Sequence, residues 1–131
     1  MTQEDKQLLL VDLCSRLPYE VMCQMKDEMR FIGEESPYYN YILSERHIEL
    51  FRRHKGFYIK PYLRPMSSMT EEEEKEICQF MKDYNLLPGL NKAAVFCGEI
   101  TDWLNKKMFD YRGLISKDLA ISTEVFNPYK D

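Results

Sequence analysis

The sequence lacks the short motifs that mark most classes of enzyme. Only five glycines occur among its 131 residues, and they are isolated from one another, so no glycine-rich loop is available to hold a phosphate group. Neither G-x-S-x-G nor H-E-x-x-H is present, which removes the local signatures of a serine hydrolase and of a zinc protease. Missing motifs are weak evidence by themselves. The sequence therefore leans against an enzyme, assigns no catalytic residue and calls for no cofactor.

Cysteine and histidine are also scarce. The two histidines, His47 and His54, are seven residues apart, whereas a metal-binding pair on one helix prefers a spacing of three or four. The four cysteines form no C-x-x-C pair: they are Cys14, Cys23, Cys78 and Cys97. We expect these cysteines to be small buried apolar residues, and we predict no metal site.

No hydrophobic run is long enough to cross a membrane. The apolar stretch nearest the start, Leu8–Val11, ends at Asp12, and no basic segment precedes it as a secretion signal requires. The net charge of −4 disfavours a protein coated with positive charge for nucleic acid. The sequence therefore predicts a single cytoplasmic domain over residues 1–131 with no membrane contact.

Helical and strand periodicities alternate along the first half of the chain. Leu9, Leu13 and Leu17 recur at helical spacing and predict a helix over 3–16, which Pro18 ends. The patterns that follow predict a strand over 19–25, a short helix over 45–54 and a strand over 57–59. The stretch 29–32 is compatible with a returning strand, and residues 34–44 are ambiguous, with a strand-like composition over 38–43.

The second half is mostly helical in pattern. Thr70 and Glu73 form a capping box, and acidic residues fill the first turn of a helix predicted over 71–84. A further helix is predicted over about 92–107, and the tail, 114–131, is expected to pack back on the domain. Together the patterns predict an α+β fold: a small, mostly antiparallel sheet of three or four strands packed with about four helices.

The connector between the last predicted strand and the acidic helix, Lys60–Thr70, contains two prolines and two methionines. The prolines restrict its backbone, because each fixes its own φ angle. We expect Met66 and Met69 to be buried as plugs of the core, since methionine is usually found inside.

Three blocks of the sequence carry a family resemblance. The first, Ile59–Glu73, reads I-K-P-Y-L-R-P-M-S-S-M-T-E-E-E, and the others lie at Asp12–Tyr19 and within Trp103–Ile115. Together they resemble a family of small uncharacterised proteins encoded by gut Bacteroides-type bacteria and by their phages and mobile elements. The stretch 33–56 takes no part in the resemblance. The resemblance implies a shared fold and a phage or mobile-element setting, but it implies no activity.

The segment from Arg46 to Arg64 is strongly basic. It holds six lysines and arginines against Glu49 alone, which gives 6 − 1 = +5, so the rest of the chain sums to −4 − 5 = −9. Cations that hold phosphates and aromatic rings that stack on bases are what a single-strand binder requires. The candidate contact residues, for nucleic acid or for an acidic partner, are Arg46, Arg52, Arg53, Lys55, Tyr58, Lys60, Tyr62 and Arg64. The competing interpretation is a solvated helix face followed by core tyrosines.

The missing catalytic motifs and the family resemblance together favour a non-catalytic accessory protein. Its predicted role is to bind a host or phage protein and thereby to modulate host machinery or defence. The alternative is a nucleic-acid-binding protein that uses the segment 46–64. A homo-oligomer also agrees with the sequence.

Overall fold

The computed structural model describes residues 1–27, 37–54, 56–86 and 92–130, and within them helices and strands alternate as an α+β protein. The elements are α1 (Gln3–Arg16), β1 (Met22–Asp27), β2 (Tyr39–Ile42), α2 (Glu45–Arg53), β3 (Phe57–Leu63), α3 (Glu71–Leu86), α4 (Lys92–Lys106) and β4 (Ile121–Ser122). The predicted fold class is therefore confirmed. None of the helices in these residues is long and apolar enough to cross a membrane.

The strands form one sheet in the order β2-β1-β3-β4. β1 runs antiparallel to both of its neighbours, so that Cys23 lies opposite Tyr41 on one side and opposite Pro61 on the other. β4 runs parallel to β3 and pairs with only Tyr62 and Leu63 of that strand. The sheet is thus mostly antiparallel, as predicted, and β4 covers only part of the edge of β3.

Helices α1 and α2 pack on one face of the sheet and form the main core with it. Helical spacing turns Leu9 and Leu13 of α1 inward, and the alternation of a strand turns Phe57 and Ile59 of β3 toward them. The buried residues that the helices and strands contribute are Leu9, Leu13, Cys23, Met25, Ile48, Phe51, Phe57, Ile59 and Leu63. The tail adds Leu114, Leu119 and Ala120, so its expected packing on the domain is confirmed. Each fully buried large side chain contributes about 1.5–3 kcal/mol relative to exposure.

Helices α3 and α4 carry a second, smaller apolar cluster. Trp103 stacks on Phe109 with ring centroids 5.6 Å apart, and its Nε1–H donates a hydrogen bond to Glu76 of α3 over 2.8 Å. Met69 and Ile77 pack against the same rings. The cluster anchors the start of α3 to the end of α4.

A charged group is buried where α1 meets the C-terminal part of the chain. Asp12 and Arg16 are both fully buried, and Arg16 Nε donates to Asp12 Oδ2 over 2.9 Å. Arg112 Nη1 donates to the other oxygen of Asp12 over 2.7 Å, and Arg16 Nη2 donates to the carbonyl of Phe109 over 2.6 Å. One carboxylate therefore serves two arginines in the interior, where an unpaired charge would be very costly.

Two predicted element boundaries are wrong. The first strand begins at Met22 rather than at Tyr19, because Leu17–Tyr19 form a 3₁₀ turn and Glu20 adopts a left-handed φ of 58°. β3 continues past Ile59 and through Pro61, which the sequence placed in the connector. A strand accepts proline where its missing N–H would face an edge rather than a paired neighbour. The stretch 29–32 lies outside the described residues.

Some burial predictions are also wrong. Met66 is 43% exposed, because the 3₁₀ turn Met66–Ser68 directs it outward, whereas Met69 packs against the second cluster as expected. Cys23 is buried, but Cys14 and Cys78 are exposed on the outer sides of their helices.

Candidate protein-binding surface

The face of the sheet turned away from α1 and α2, here called the outer face, is polar and aromatic. Strand alternation directs Tyr58, Lys60 and Tyr62 to this face, because Phe57 and Ile59 point into the core. Pairing then places Gln24 opposite Lys60 and Lys26 opposite Tyr58. The outer face consists of Gln24, Lys26, Tyr38, Asn40, Ile42, Tyr58, Lys60 and Tyr62.

Hydrogen bonds across the strands hold the tyrosines of the outer face. The Tyr58 hydroxyl donates to Gln24 Oε1 over 3.2 Å, and the Tyr62 hydroxyl donates to Asn40 Oδ1 over 2.7 Å. Tyr38 meets Tyr58 edge-on, with ring centroids 5.3 Å apart. Burial is the largest cause that raises the pKa of Tyr58 and of Tyr62 above the ordinary value, so both hydroxyls stay protonated at neutral pH.

The two lysines of the outer face lie over aromatic rings. Lys26 Nζ is 4.9 Å from the ring centroid of Tyr38, and Lys60 Nζ is 5.5 Å from that of Tyr58. Lys60 also forms a 3.0 Å ion pair with Asp118. Burial acts to lower the pKa of Lys60, but the bond to Asp118 and the neighbouring Tyr58 outweigh it, and the pKa is raised. Part of the positive charge of this face is thus already neutralised.

The tail covers one end of the outer face. Phe126 packs on Tyr62, with ring centroids 5.5 Å apart, and leaves Tyr62 only 3% exposed. The Tyr129 hydroxyl accepts the N–H of Met22 over 2.9 Å and donates to the carbonyl of Tyr62 over 2.9 Å. Burial raises the pKa of Tyr129, so it remains a donor. Tyr62 is therefore a structural residue, and the accessible part of this face lies toward Tyr38 and Tyr58.

The edge of the sheet at β2, here called the β2 edge and defined as residues 38–42, is exposed and uncharged. Tyr38, Tyr39, Tyr41 and Ile42 are between 39% and 60% exposed. No lysine, arginine, aspartate or glutamate occurs from 37 to 43. In the part of the chain that the structure describes, β1 is the only strand paired with β2. Edge strands are usually protected by charges, proline or a bulge, and this one carries none of these within 38–42.

The basic residues predicted as a site do not share one surface. Arg52 and Arg53 lie on α2 and pair with Glu49 over 3.4 and 2.9 Å. Arg46 lies near them in a shallow groove of about 280 Å³ on the same helix. Lys60 lies on the outer face with Tyr58 and Tyr62, and Lys55 is outside the described residues.

Arg64 is used inside the fold. Its Nη1 and Nη2 donate to the two carboxylate oxygens of Glu73, each over 2.7 Å, and Nη2 also donates to the carbonyl of Ser68 over 3.1 Å. Its guanidinium lies 4.1 Å from the ring centroid of Phe109. Glu73 in turn completes the capping box, since its Oε1 accepts the N–H of Thr70 over 3.0 Å. Arg64 therefore joins β3 to the start of α3.

His47 has a structural role at the start of α2. His47 Nδ1 accepts the N–H of Ser44 over 3.0 Å at the start of α2, and its ring stacks on Phe57 with centroids 6.3 Å apart. Burial, with a smaller effect from Arg46, lowers the pKa of His47, which keeps the imidazole neutral. Across the described ranges, no three His, Cys, Asp or Glu side chains are grouped closely enough to hold a metal ion.

Sequence reasoning missed several residues of this surface. Gln24, Lys26, Tyr38 and Asn40 were not among the predicted site residues, although Tyr38 and Asn40 lie in the strand-like stretch 38–43. The alternation within each strand could have predicted which of these residues share a face, because residues two apart in a strand point the same way. What the sequence did not provide was the register that brings the three strands together.

In comparisons with known proteins, no family model, no curated protein and no solved structure matches the chain.

Proposed function

We propose that this is a non-catalytic protein that binds a protein partner through the β2 edge. The observation that carries the proposal is the exposure of Tyr38, Tyr39, Tyr41 and Ile42 on an uncharged edge strand. Tyrosine is enriched at the centres of protein interfaces, because its ring gives a large contact area and its hydroxyl a polar bond. A strand at the edge of a sheet also presents backbone groups, and strand addition is a known mode of peptide recognition.

The proposed setting is a phage or mobile element. The blocks at Asp12–Tyr19, Ile59–Glu73 and Trp103–Ile115 support this setting through their resemblance to the Bacteroides-type family. An accessory protein of such an element acts on a host or phage protein, and modulation of host machinery or defence is the proposed outcome. A partner in the cytoplasm is part of the same proposal.

Single-stranded nucleic acid is the second candidate partner. Tyr58 and Lys60 lie side by side on the outer face with Lys26 and Tyr38, a combination suited to stacking and phosphate contact. Two contacts count against it: Lys60 is paired with Asp118, and Arg64 is held by Glu73. The protein partner is therefore preferred.

Photo-crosslinking from the β2 edge tests the proposal. A benzophenone amino acid replaces Tyr41, and the matched control replaces Val11, an apolar residue of α1 that is 45% exposed. Lysates of the source cells are treated with and without nuclease before irradiation. We expect one defined protein adduct from position 41, absent from position 11 and unchanged by nuclease, and abolished when Tyr39→Lys is added to the probe protein.

Two results would contradict this function. Identical adducts from positions 41 and 11 would show that the β2 edge has no selectivity. Adducts that disappear after nuclease treatment would favour nucleic acid over a protein as the partner. An adduct that joins two copies of this chain would identify the partner as the protein itself.

A further inference from the structure

The pairing of β2 with β1 shows which backbone groups lie along the β2 edge. The N–H of Leu43 donates to the carbonyl of Val21 over 2.9 Å, so the backbone groups of Leu43 point toward β1. Along an antiparallel strand these groups alternate in direction, so those of Ile42 and Asn40 point away from β1. Among the residues that the structure describes, no second strand pairs with β2 on that side. The β2 edge therefore presents an N–H and a carbonyl at every second residue.

The side chains of the β2 edge are compatible with a second copy of the same edge. When a strand pairs with its own copy, any charged residue can come to lie opposite or near a like charge, which destabilises the pair. The segment 37–43 contains no charged residue of either sign. For the same reason it offers no opposite charge that would select a charged strand of another protein. The composition of the edge therefore favours an uncharged strand, and the chain itself supplies one.

The order of the residues around Asn40 is symmetric in character. A tyrosine flanks it on each side, Tyr39 and Tyr41, and the next positions outward are Tyr38 and Ile42. An antiparallel pair centred on Asn40 places Tyr39 opposite Tyr41 of the second copy, and Tyr38 opposite Ile42. Asn40 lies opposite its own copy, a place that suits an amide because an amide carries both donors and acceptors. Read in either direction, the edge thus meets matching side chains.

We propose that two copies of this chain form a dimer by antiparallel pairing of β2 with β2, with Asn40 of both copies at the two-fold axis. The inference rests on the proposed function, in which the β2 edge is an interface, and it names the partner at that edge. Pairing of Asn40 with its copy, and of Ile42 with Tyr38 on each side, gives about six backbone hydrogen bonds. The two four-stranded sheets become one continuous sheet, in which neither β2 is an edge. Action on a host or phage protein is then a property of the dimer.

The small size of the interface sets the expected strength of the dimer. β2 has only four residues, so its pairing buries less surface than the roughly 1,600 Å² of a standard interface. Interfaces at the small end of the range are mostly those of weak or transient complexes. We therefore expect micromolar rather than nanomolar affinity, and the experiments below reach high protein concentrations.

Sedimentation equilibrium of the full chain tests the self-association. We expect the weight-average mass to rise from 15.7 kDa toward twice that value as the protein concentration is raised from 5 to 500 µM. Raising the salt from 50 to 500 mM should change the affinity by less than twofold, because the paired strands carry no charge that salt could screen. A mass that stays at 15.7 kDa in 500 µM protein would overturn the proposal.

Opposite charges at residue 40 test the two-fold pairing. Asn40→Asp and Asn40→Lys should each weaken self-association at least tenfold, because each places like charges opposite one another. An equimolar mixture of the two variants should associate at least tenfold more tightly than either variant alone, which also shows that both are folded. Val11→Asp and Val11→Lys, at an exposed position of α1, are the controls and should associate like the parent, alone or mixed. A mixture at residue 40 no tighter than its components would exclude this pairing.

Disulfide formation tests the register, in a background where Cys14, Cys78 and Cys97 are replaced by serine. Asn40→Cys should form a disulfide between two copies, because directly opposite residues have Cα atoms about 5.5 Å apart, within the range of a disulfide. Ile42→Cys is the matched control on the same strand and face. Its two copies lie about 13 Å apart along the strands, which is too far for a disulfide. A disulfide from Ile42→Cys and none from Asn40→Cys would overturn the register.

The failure of this inference can be distinguished from the failure of the proposed function. If the chain stays monomeric while photo-crosslinking from position 41 captures one defined foreign protein, the dimer is excluded and the β2 edge remains an interface. If a dimer forms that neither Asn40→Lys nor Tyr41→Lys weakens, the copies meet through another surface and the inference is wrong. If the chain stays monomeric and position 41 gives no selective adduct, both proposals are wrong.

Discussion

Arg64 and Glu73 are joined by two hydrogen bonds of 2.7 Å each, across the connector between β3 and α3. The pair is mostly sheltered, since their side chains are only 24% and 10% exposed. The hydrogen bonds from Arg64 contribute most to lowering the pKa of Glu73 from its ordinary 4.5 to about 2. A residue that the sequence offered as a surface contact is therefore part of the framework of the connector.

Acid should release this pair. The folded pKa of Glu73 lies below the ordinary 4.5, so the unfolded chain binds more protons between these values. The stabilisation is fully present above pH 4.5 and is lost as the pH falls toward 2. Arg64→Met should lower the free energy of unfolding by about 2 kcal/mol at pH 7. The free energy of unfolding of this variant should also fall less between pH 4.5 and 2.5 than that of the parent. Urea denaturation at each pH measures both values. Lys75→Met is the control, and equal acid sensitivity of Arg64→Met and parent would refute the assignment.

The buried carboxylate of Asp12 should contribute far more to the free energy of unfolding than the exposed carboxylate of Glu49. Asp12→Ala leaves Arg16 buried without its carboxylate, and removing one partner of a buried pair costs about 3–5 kcal/mol. Glu49→Ala removes an exposed carboxylate that also serves two arginines, and exposed pairs contribute about 0.2–1 kcal/mol. Urea denaturation of both variants measures the difference. Equal effects of the two substitutions would show that burial of the Asp12 group has no energetic consequence.

Substitution on the β2 edge should separate binding from stability. Tyr41 is 60% exposed, so Tyr41→Lys should change the free energy of unfolding by less than about 0.5 kcal/mol. The added charge on an edge strand should nevertheless prevent association through that edge. Sedimentation velocity measures self-association, and a pull-down of the tagged protein from a lysate of the source cells measures binding of a partner, with Val11→Lys as the control. A Tyr41→Lys protein that keeps its partner would exclude the β2 edge as the interface.

The cysteines should differ sharply in reactivity. Burial raises the pKa of the Cys23 thiol well above its usual range, and the side chain is fully enclosed, so it should resist alkylation in the folded protein. Cys14 and Cys78 are exposed and should react first with iodoacetamide at pH 8. Peptide mapping by mass spectrometry, with and without 6 M guanidinium, measures each site. Labelling of Cys23 as fast as that of Cys14 in native protein would contradict the burial.

Local signals in the sequence were sufficient to place the helices. The 3–16 helix and the 45–54 helix match α1 and α2 to within one residue, because capping residues and apolar spacing agree there. The capping box of Thr70 and Glu73 is also confirmed, with both of its hydrogen bonds formed. These features depend on neighbours within one turn, which the sequence shows directly.

Features that depend on distant partners were not predictable. The sequence around Asp12 does not predict its ion pair with Arg112. The sequence around Arg64 does not show whether this arginine is exposed or paired with Glu73. The continuation of β3 through Pro61 depends on which side of the strand is paired, which is a property of the whole sheet. For the same reason the predicted basic segment combined residues of α2, the outer face and the connector into one surface.

The Tyr129 hydroxyl accepts a hydrogen bond from the N–H of Met22 and donates to the carbonyls of Met22 and Tyr62, and these contacts have a consequence for synthesis on the ribosome. Tyr129 and Met22 are 107 residues apart in the chain. At about 5–20 residues per second, the nascent chain carries its first strand for roughly 5–20 s before Tyr129 is made. During that interval β1 lacks its contact with the Tyr129 hydroxyl. At the start of the interval β3 has not been made either, so β1 also lacks that neighbouring strand. Chaperone contact with the nascent chain should therefore be concentrated on its first strand and should end only after the tail emerges.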